Sequence, residues 1–159
     1  MKNNGVYLIA LAIALGVAGC SRGPDQNKVR EDVAKAQADG QKTIADAQAK
    51  YDKAVADAKA DVGKEQADAN AKAATGSDTT KAANDVADAR TDANKKVANA
   101  EYDLEKARAE ANYNIAKAQC EAHTGDTEKA CRDSAKAAYD SAVTAAKTKN
   151  DQATQRTSG

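Results

Sequence analysis

The chain has no tryptophan and no phenylalanine, and its 159 residues include only five tyrosines. The large aromatic side chains that dominate most protein cores are therefore nearly missing. There is one proline, Pro24, so nothing downstream of it forces a helix to kink or stop. Lysine plus arginine number 24 and aspartate plus glutamate number 24. That balance leaves no field of one sign to draw in nucleic acid or an anionic membrane surface. From Cys20 onward the large aliphatic side chains are Val29, Val33, Ile44, Val55, Val62, Val86, Val97, Leu104, Ile115 and Val143, too few to fill a compact interior. Gly-rich phosphate loops and HExxH are missing. The many carboxylates alternate with lysines, the pattern of a solvated helical face rather than of an acid–base pair. The chain thus reads as a non-enzyme, with no cofactor, no metal and no small-molecule substrate.

What is abundant is alanine, about a quarter of the residues after Cys20, and it is repeated in register. From Ala34 the chain runs AKAQADGQKTI, ADAQAKYDKAV, ADAKADVGKEQ and ADANAKAATGS, blocks of eleven with Ala at the first, third and fifth positions. The register resumes at Ala87 with ADARTDANKKV, ANAEYDLEKAR and AEANYNIAKAQ. Eleven residues make three helical turns at about 3.67 per turn, so one face stays aligned over a long distance. In the first segment that face is Val29, Val33, Ala36, Gly40, Ile44, Ala47, Tyr51, Val55, Ala58 and Val62, weakened at Gln66, then Ala69 and Ala73. In the second it is Ala82, Val86, Ala89, Ala93, Val97, Ala100 and Leu104, interrupted by Arg108, then Ala111 and Ile115. A third, shorter piece carries Ala135, Tyr139, Val143 and Ala146. Alanine, lysine, glutamine and glutamate all favour this helical reading, and Asp46 with Lys50 and Asp92 with Lys96 are spaced for i,i+4 pairing. Gly40 lies on the stripe, where a missing side chain admits a close partner helix, whereas Gly63 lies beside it and simply costs about 1 kcal/mol relative to alanine.

Two breaks interrupt the periodicity, Thr75-Gly76-Ser77-Asp78-Thr79 and Thr124-Gly125-Asp126-Thr127. Each offers glycine for a left-handed helix end and Ser or Asp for the next N-cap. The expected fold is all-α: long alanine-rich helices with an eleven-residue repeat form a helical hairpin or coiled coil, and a third, shorter helix follows a disulfide-closed turn. The helices are expected at about 26–75, 77–122 and 127–153. Tyr51 and Tyr139 fall on the stripe as packing residues. Tyr102 and Tyr113, eleven apart and off the stripe, form the candidate exposed contact ridge. His123, the single histidine, is expected as a polar residue in an exposed turn.

The first residues are of another kind. Met1-Lys2-Asn3-Asn4 precedes an apolar run from Val6 to Ala18, shorter than the roughly twenty residues of a spanning helix, and the run ends Val17-Ala18-Gly19-Cys20. This segment resembles a bacterial lipoprotein signal peptide with its lipobox. The resemblance implies cleavage between Gly19 and Cys20, lipid on the Cys20 thiol and acylation of the new N-terminus with palmitate-class fatty acids. An ordinary secretory signal cut at an Ala-x-Gly-like site, with Cys20 left as a free thiol, is the alternative. One acyl chain anchors marginally, and several anchor permanently. Ser21, rather than Asp, follows the cysteine, which in the enterobacterial sorting scheme this resembles favours the outer membrane. The implied organisation is a signal peptide at 1–19, a lipidated polar tether at 20–25, the helical domain at 26–153 and a disordered tail at 154–159.

In a continuous helix Cys120 and Cys131 would lie about 16 Å apart, whereas a hairpin at Gly125 sets them opposite one another. An exported chain enters an oxidising compartment, so these two are expected to form a disulfide. Metal binding by Cys120, His123 and Cys131 is the rival, short of a fourth ligand. The cysteine-bounded turn, followed by Ala135-Lys136-Ala137-Ala138-Tyr139, is similar to segments of small alanine-rich envelope proteins of proteobacteria. A lipobox followed by a long helix also resembles the major small outer-membrane lipoproteins. The chain departs from the murein-linked kind in ending Arg156-Thr157-Ser158-Gly159 rather than in lysine.

Two functions are therefore expected. The first is a lipid-anchored structural or protein-interaction lipoprotein of the outer membrane, extending into the periplasm, self-associating or binding other envelope proteins. The second is a stress-protective amphipathic protein, because eleven-residue Ala/Lys/Asp repeats also look like desiccation-protection proteins.

Overall fold

The computed structural model describes residues 23–156. Gly19, Cys20 and the rest of the lipobox lie outside the described residues, as do 157–159. Three helices follow one another: α1 is Gln26–Ala74, α2 is Thr79–Cys120 and α3 is Gly125–Arg156. At 1.5 Å per residue they are about 74, 63 and 48 Å long. No strand occurs among the described residues. The all-helical expectation therefore holds, and the helix ends fall close to those expected. The third helix departs most. It begins at Gly125 rather than 127, and it runs through 154–156, expected as tail, with the Thr154 hydroxyl bonded to the Asn150 and Asp151 carbonyls at 3.0 Å each.

Local chemistry explains where the helices begin and end. Asp25 caps α1, its carboxylate accepting from the Asn27 amide at 2.9 Å. At the other end Gly76 adopts φ +69°, the Ser77 amide donates to the Lys72 carbonyl at 3.0 Å, and the Gly76 amide donates to that of Ala73 at 3.3 Å. This paired arrangement is a Schellman motif, which closes a helix over a left-handed glycine. Asp78 then caps α2 by accepting from the Lys81 amide at 2.9 Å. The second turn also uses a left-handed glycine, Gly125 at φ +60°, and brings the Cys120 and Cys131 Cα atoms to 5.6 Å.

Helix α2 is the centre of the molecule. Both α1 and α3 pack on it, and their backbones do not approach each other. The stripe is the seam between α1 and α2: Val29, Gly40, Ala58, Ala82, Val86, Leu104 and Ala111 are buried, and every other stripe residue of these two helices is half-buried except Ala73. The chains run antiparallel, so Gly40 meets Ala111. A Cβ added at Gly40 would sit 3.0 Å from the Ala111 Cβ and 3.6 Å from its Cα, whereas a Cβ at Gly63 would meet nothing within 4 Å. Gly40 thus permits the close approach expected of it, and Gly63 contributes only flexibility.

After Val97 the buried part of α2 widens. Ala98, Ala107, Ala109, Ala118 and Cys120 are buried although none lies on the stripe. This second face receives α3. In return α3 buries only Ala146 below a tenth exposure, so it rests on α2 rather than entering a core.

These contacts predict opposite responses at two glycines. Gly63→Ala should raise unfolding free energy by about 1 kcal/mol, while Gly40→Leu should lower it by about 1–3 kcal/mol through overpacking. Thermal unfolding followed by circular dichroism measures both, and a stabilised Gly40→Leu would contradict the close approach.

Candidate functional surface

The α1–α2 seam contains two polar interruptions, and each is bridged across the helices. Arg108 donates to the Gln48 side chain at 3.3 Å and pairs with Glu105 at 2.8 Å. Arg90 donates to the Gln66 side chain at 3.3 Å. The two arginines are eighteen residues apart in α2, and the two glutamines are eighteen apart in α1, so these bonds form rungs of one antiparallel ladder. They also discriminate between registers. An alanine seam repeated every eleven residues looks similar when slid by eleven, but sliding would place Arg90 against Val55 or Ser77, and Arg108 against Gln37 or Lys59. At most one rung survives, and the short Gly76 turn selects the same alignment.

Charges reinforce the seam from outside. Lys96 reaches across to Asp61 at 3.4 Å and Asp57 at 3.8 Å, rather than down its own helix to Asp92 as the spacing suggested, and Lys72 approaches Asp85 at 3.6 Å. Asp46 and Lys50 do not form the expected ion pair among the described residues. Pairs along single helices run mostly from lysine to a later aspartate: Lys28–Asp32 at 2.7 Å, Lys53–Asp57 at 2.8 Å, Lys136–Asp140 at 2.7 Å and Lys147–Asp151 at 2.7 Å. The hydrogen bonds from Lys28 and Lys53 hold the Asp32 and Asp57 carboxyls below the usual carboxylate range. The bond to Glu101, at 2.6 Å, raises Lys149. All are exposed pairs, individually worth little.

The face between α2 and α3 contains the residues singled out as a contact ridge. Tyr113 packs on Tyr139 of α3, ring centroids 5.4 Å apart, and Lys117 sits 5.9 Å from the Tyr113 centroid. Tyr102 is also half-buried and lies near Lys147 of α3. The two tyrosines thus lie on the α3 seat, and the ridge expected to be free is partly covered by the chain's own third helix. The covering is itself the reason they stand eleven apart: they mark a second stripe, offset by two positions from the first. That offset was the available signal, because alanine occurs on every face and its pattern alone did not distinguish the α3 seat.

Cys120 and Cys131 are joined as a disulfide, with Cys120 fully buried and Cys131 half-buried. With their sulfurs bonded to each other, neither supplies a thiolate for the metal site considered above, and His123 stands exposed beside them. Among the described residues no group of His, Cys, Asp and Glu is arranged to hold a metal ion, and no helix is long and apolar enough to cross a membrane. Arg132 bridges the turn between Glu121 at 3.6 Å and Glu128 at 2.8 Å. An open groove of about 560 Å³ lies between α1 and α2, lined by Tyr51, Val55, Val62, Val97, Lys59 and Arg90 among others. Comparison with protein-family models, with curated proteins and with solved structures finds no match to this chain.

Because α3 buries so little, its docking depends on the disulfide. Cys131→Ser should cost about 2–4 kcal/mol, and hydrogen exchange should quicken in α3 far more than in the α1–α2 seam; equal protection of α3 in the wild type and the variant would refute this dependence. Acid should act separately. Asp32 and Asp57 have lowered folded-state pKa values, so their contribution is present above the unfolded value of about 3.9 and is lost as pH falls through the lower folded values. Stability measured from pH 6 to pH 2 should therefore fall below about pH 4, with Asp32→Asn and Asp57→Asn together flattening the profile.

Proposed function

We propose that this chain is a lipid-anchored structural or protein-interaction lipoprotein of the bacterial outer membrane that extends a helical hairpin into the periplasm. The observation that carries the reading is Val17-Ala18-Gly19-Cys20 at the end of a short apolar run, six residues before a helix of 49 residues. Three covalently attached acyl chains would hold permanently a rod that has no apolar span of its own among the described residues. Two structural features support the reading. A disulfide suits an oxidising compartment, and the described residues form long helices, the first of 49 residues.

The helix start gives the rod a direction under this reading. Gln26 and the Cys120–Cys131 turn are at the same end of the hairpin, since Lys28 lies near enough to Glu121 to feel its charge. A lipid on Cys20 would therefore put the disulfide turn next to the membrane and the Gly76 turn about 70 Å away at the far end. The tether from Ser21 to Asp25 is short, so the near end of the rod would stay close to the bilayer.

The second reading, a stress-protective amphipathic protein, is favoured by how little apolar side chain the three helices bury. Circular dichroism separates the two. Cooperative helicity in dilute buffer supports the first, and a coil that becomes helical only on drying or with lipid supports the second.

Fractionation of cells making the wild-type chain and Cys20→Ala tests the anchor. The wild type should follow outer-membrane markers with the mass of its lipids on Cys20, and the variant should be soluble or unprocessed. Equal membrane association of both would refute the anchor.

A further inference from the structure

The α1–α2 hairpin presents two differently charged faces. On one flank of the seam lies the open groove described above. Lys59 follows the stripe residue Ala58, and Arg90 follows Ala89, so both project to the same side at about 100° from the seam. The α2 residues that receive α3, such as Ala98 and Ala109, follow Val97 and Arg108 in the same way. The groove therefore continues the seat that α3 fills, and no described residue covers it. Its walls carry no carboxylate. Among the described residues Lys59 has no ion-pair partner, and Arg90 bonds only to the neutral Gln66.

The opposite flank is acidic. Asp39 precedes the stripe residue Gly40, and Glu110 precedes Ala111, which places them on the reverse face. There the shallow cleft beside the Gly40–Ala111 contact is lined by Asp32, Asp39 and Glu110 against a single cation, Lys35. Asp39 and Glu110 are exposed and form no ion pair among the described residues. The cationic groove and the acidic cleft are about 30 Å apart along α1, counting from Asp39 to Lys59.

We propose that copies of this chain associate head to tail, the cationic apolar groove of one molecule receiving the acidic reverse face of the next. The proposal rests on the interaction-protein reading above and names the partner as a second copy. Charge complementarity selects this arrangement. Groove against groove would bring Lys59 and Arg90 of two copies together, and like charges juxtaposed at an interface are strongly disfavoured. Groove against cleft pairs each cation with a carboxylate while Tyr51, Val55, Val62 and Val97 lose their exposure to water. A contact between two different faces is heterologous, so it repeats along a row of molecules unless a rotation closes it. Because the two faces lie about 30 Å apart along the rod, each molecule in such a row is displaced by that length along its axis, and copies fixed in one bilayer would meet by leaning.

The test uses the full chain, taken from whichever fraction it occupies, in mild detergent or in buffer accordingly. This keeps failure of the anchor separate from failure of the association. Chains of two isotopic labels are mixed and treated with a carbodiimide, which joins a lysine amine to a carboxylate as an amide and takes up the water released. Mixed-isotope peptides linking Lys59 to Asp39 or Glu110 are expected. Two charge-reversed variants complete the test: Lys59→Glu with Arg90→Glu, and Asp39→Lys with Glu110→Lys. Each alone should lose at least tenfold in association by sedimentation, with helicity unchanged, and an equimolar mixture of the two should associate again. A wild type that stays monomeric at its highest soluble concentration would overturn the proposal. So would either variant associating as well as the wild type by itself, or a mixture that fails to recover.

Discussion

The structure depends on the closeness of two helices whose facing side chains are mostly alanine. A methyl group buries little area, and at about 25 cal/mol per Å² no single alanine contact decides anything. The seam compensates by length and by proximity. Gly40 and Ala111 bring the backbones close, and the eleven-residue period keeps small residues aligned along helices of 49 and 42 residues. A helix pair made this way is long, thin and almost without a thickness in which a pocket could form, which is why the features left to consider are faces and grooves.

A seam of repeated small residues has a weakness in its own regularity, since many alignments look alike. The two polar residues that break the stripe, Gln66 and Arg108, resolve it. Each finds its partner on the opposite helix, and their spacing is not a multiple of the repeat. A residue that looks like a defect in a one-dimensional pattern thus acts as a marker of register once the second helix is in place. The third helix is held differently. It has one buried residue of its own, a tyrosine pair and a few exposed polar contacts, and its position is secured by the bond between Cys120 and Cys131.

The candidate surface was less legible than the fold. The stripe could be followed residue by residue because valine, isoleucine, leucine and tyrosine stand out against alanine at steps of four, four and three. The second face of α2 could not, because Ala98, Ala109 and Ala118 are buried there while Ala83 and Ala87 on the same helix are exposed, and nothing in the residue itself separates them. Tyr102 and Tyr113 were visible as exceptions, yet whether they met solvent or another helix depended on where α3 lay. Lys96 likewise had two candidate partners in sequence, Asp92 along its own helix and the carboxylates of α1, and only the crossing of the helices chose between them.

Composition and period by themselves determined that this chain is helical, where its turns fall, which face of α1 and α2 is shared and which two cysteines meet. Those properties follow from local propensity and from spacing along one helix, and both are written in consecutive residues. The tertiary structure decided the rest: that α2 serves two neighbours, that the off-stripe tyrosines are packing residues, and that the hairpin has a cationic groove on one face and carboxylates on the other. These depend on which residues from distant parts of the chain share a flank, and a chain in which alanine occupies every flank does not announce that before it folds.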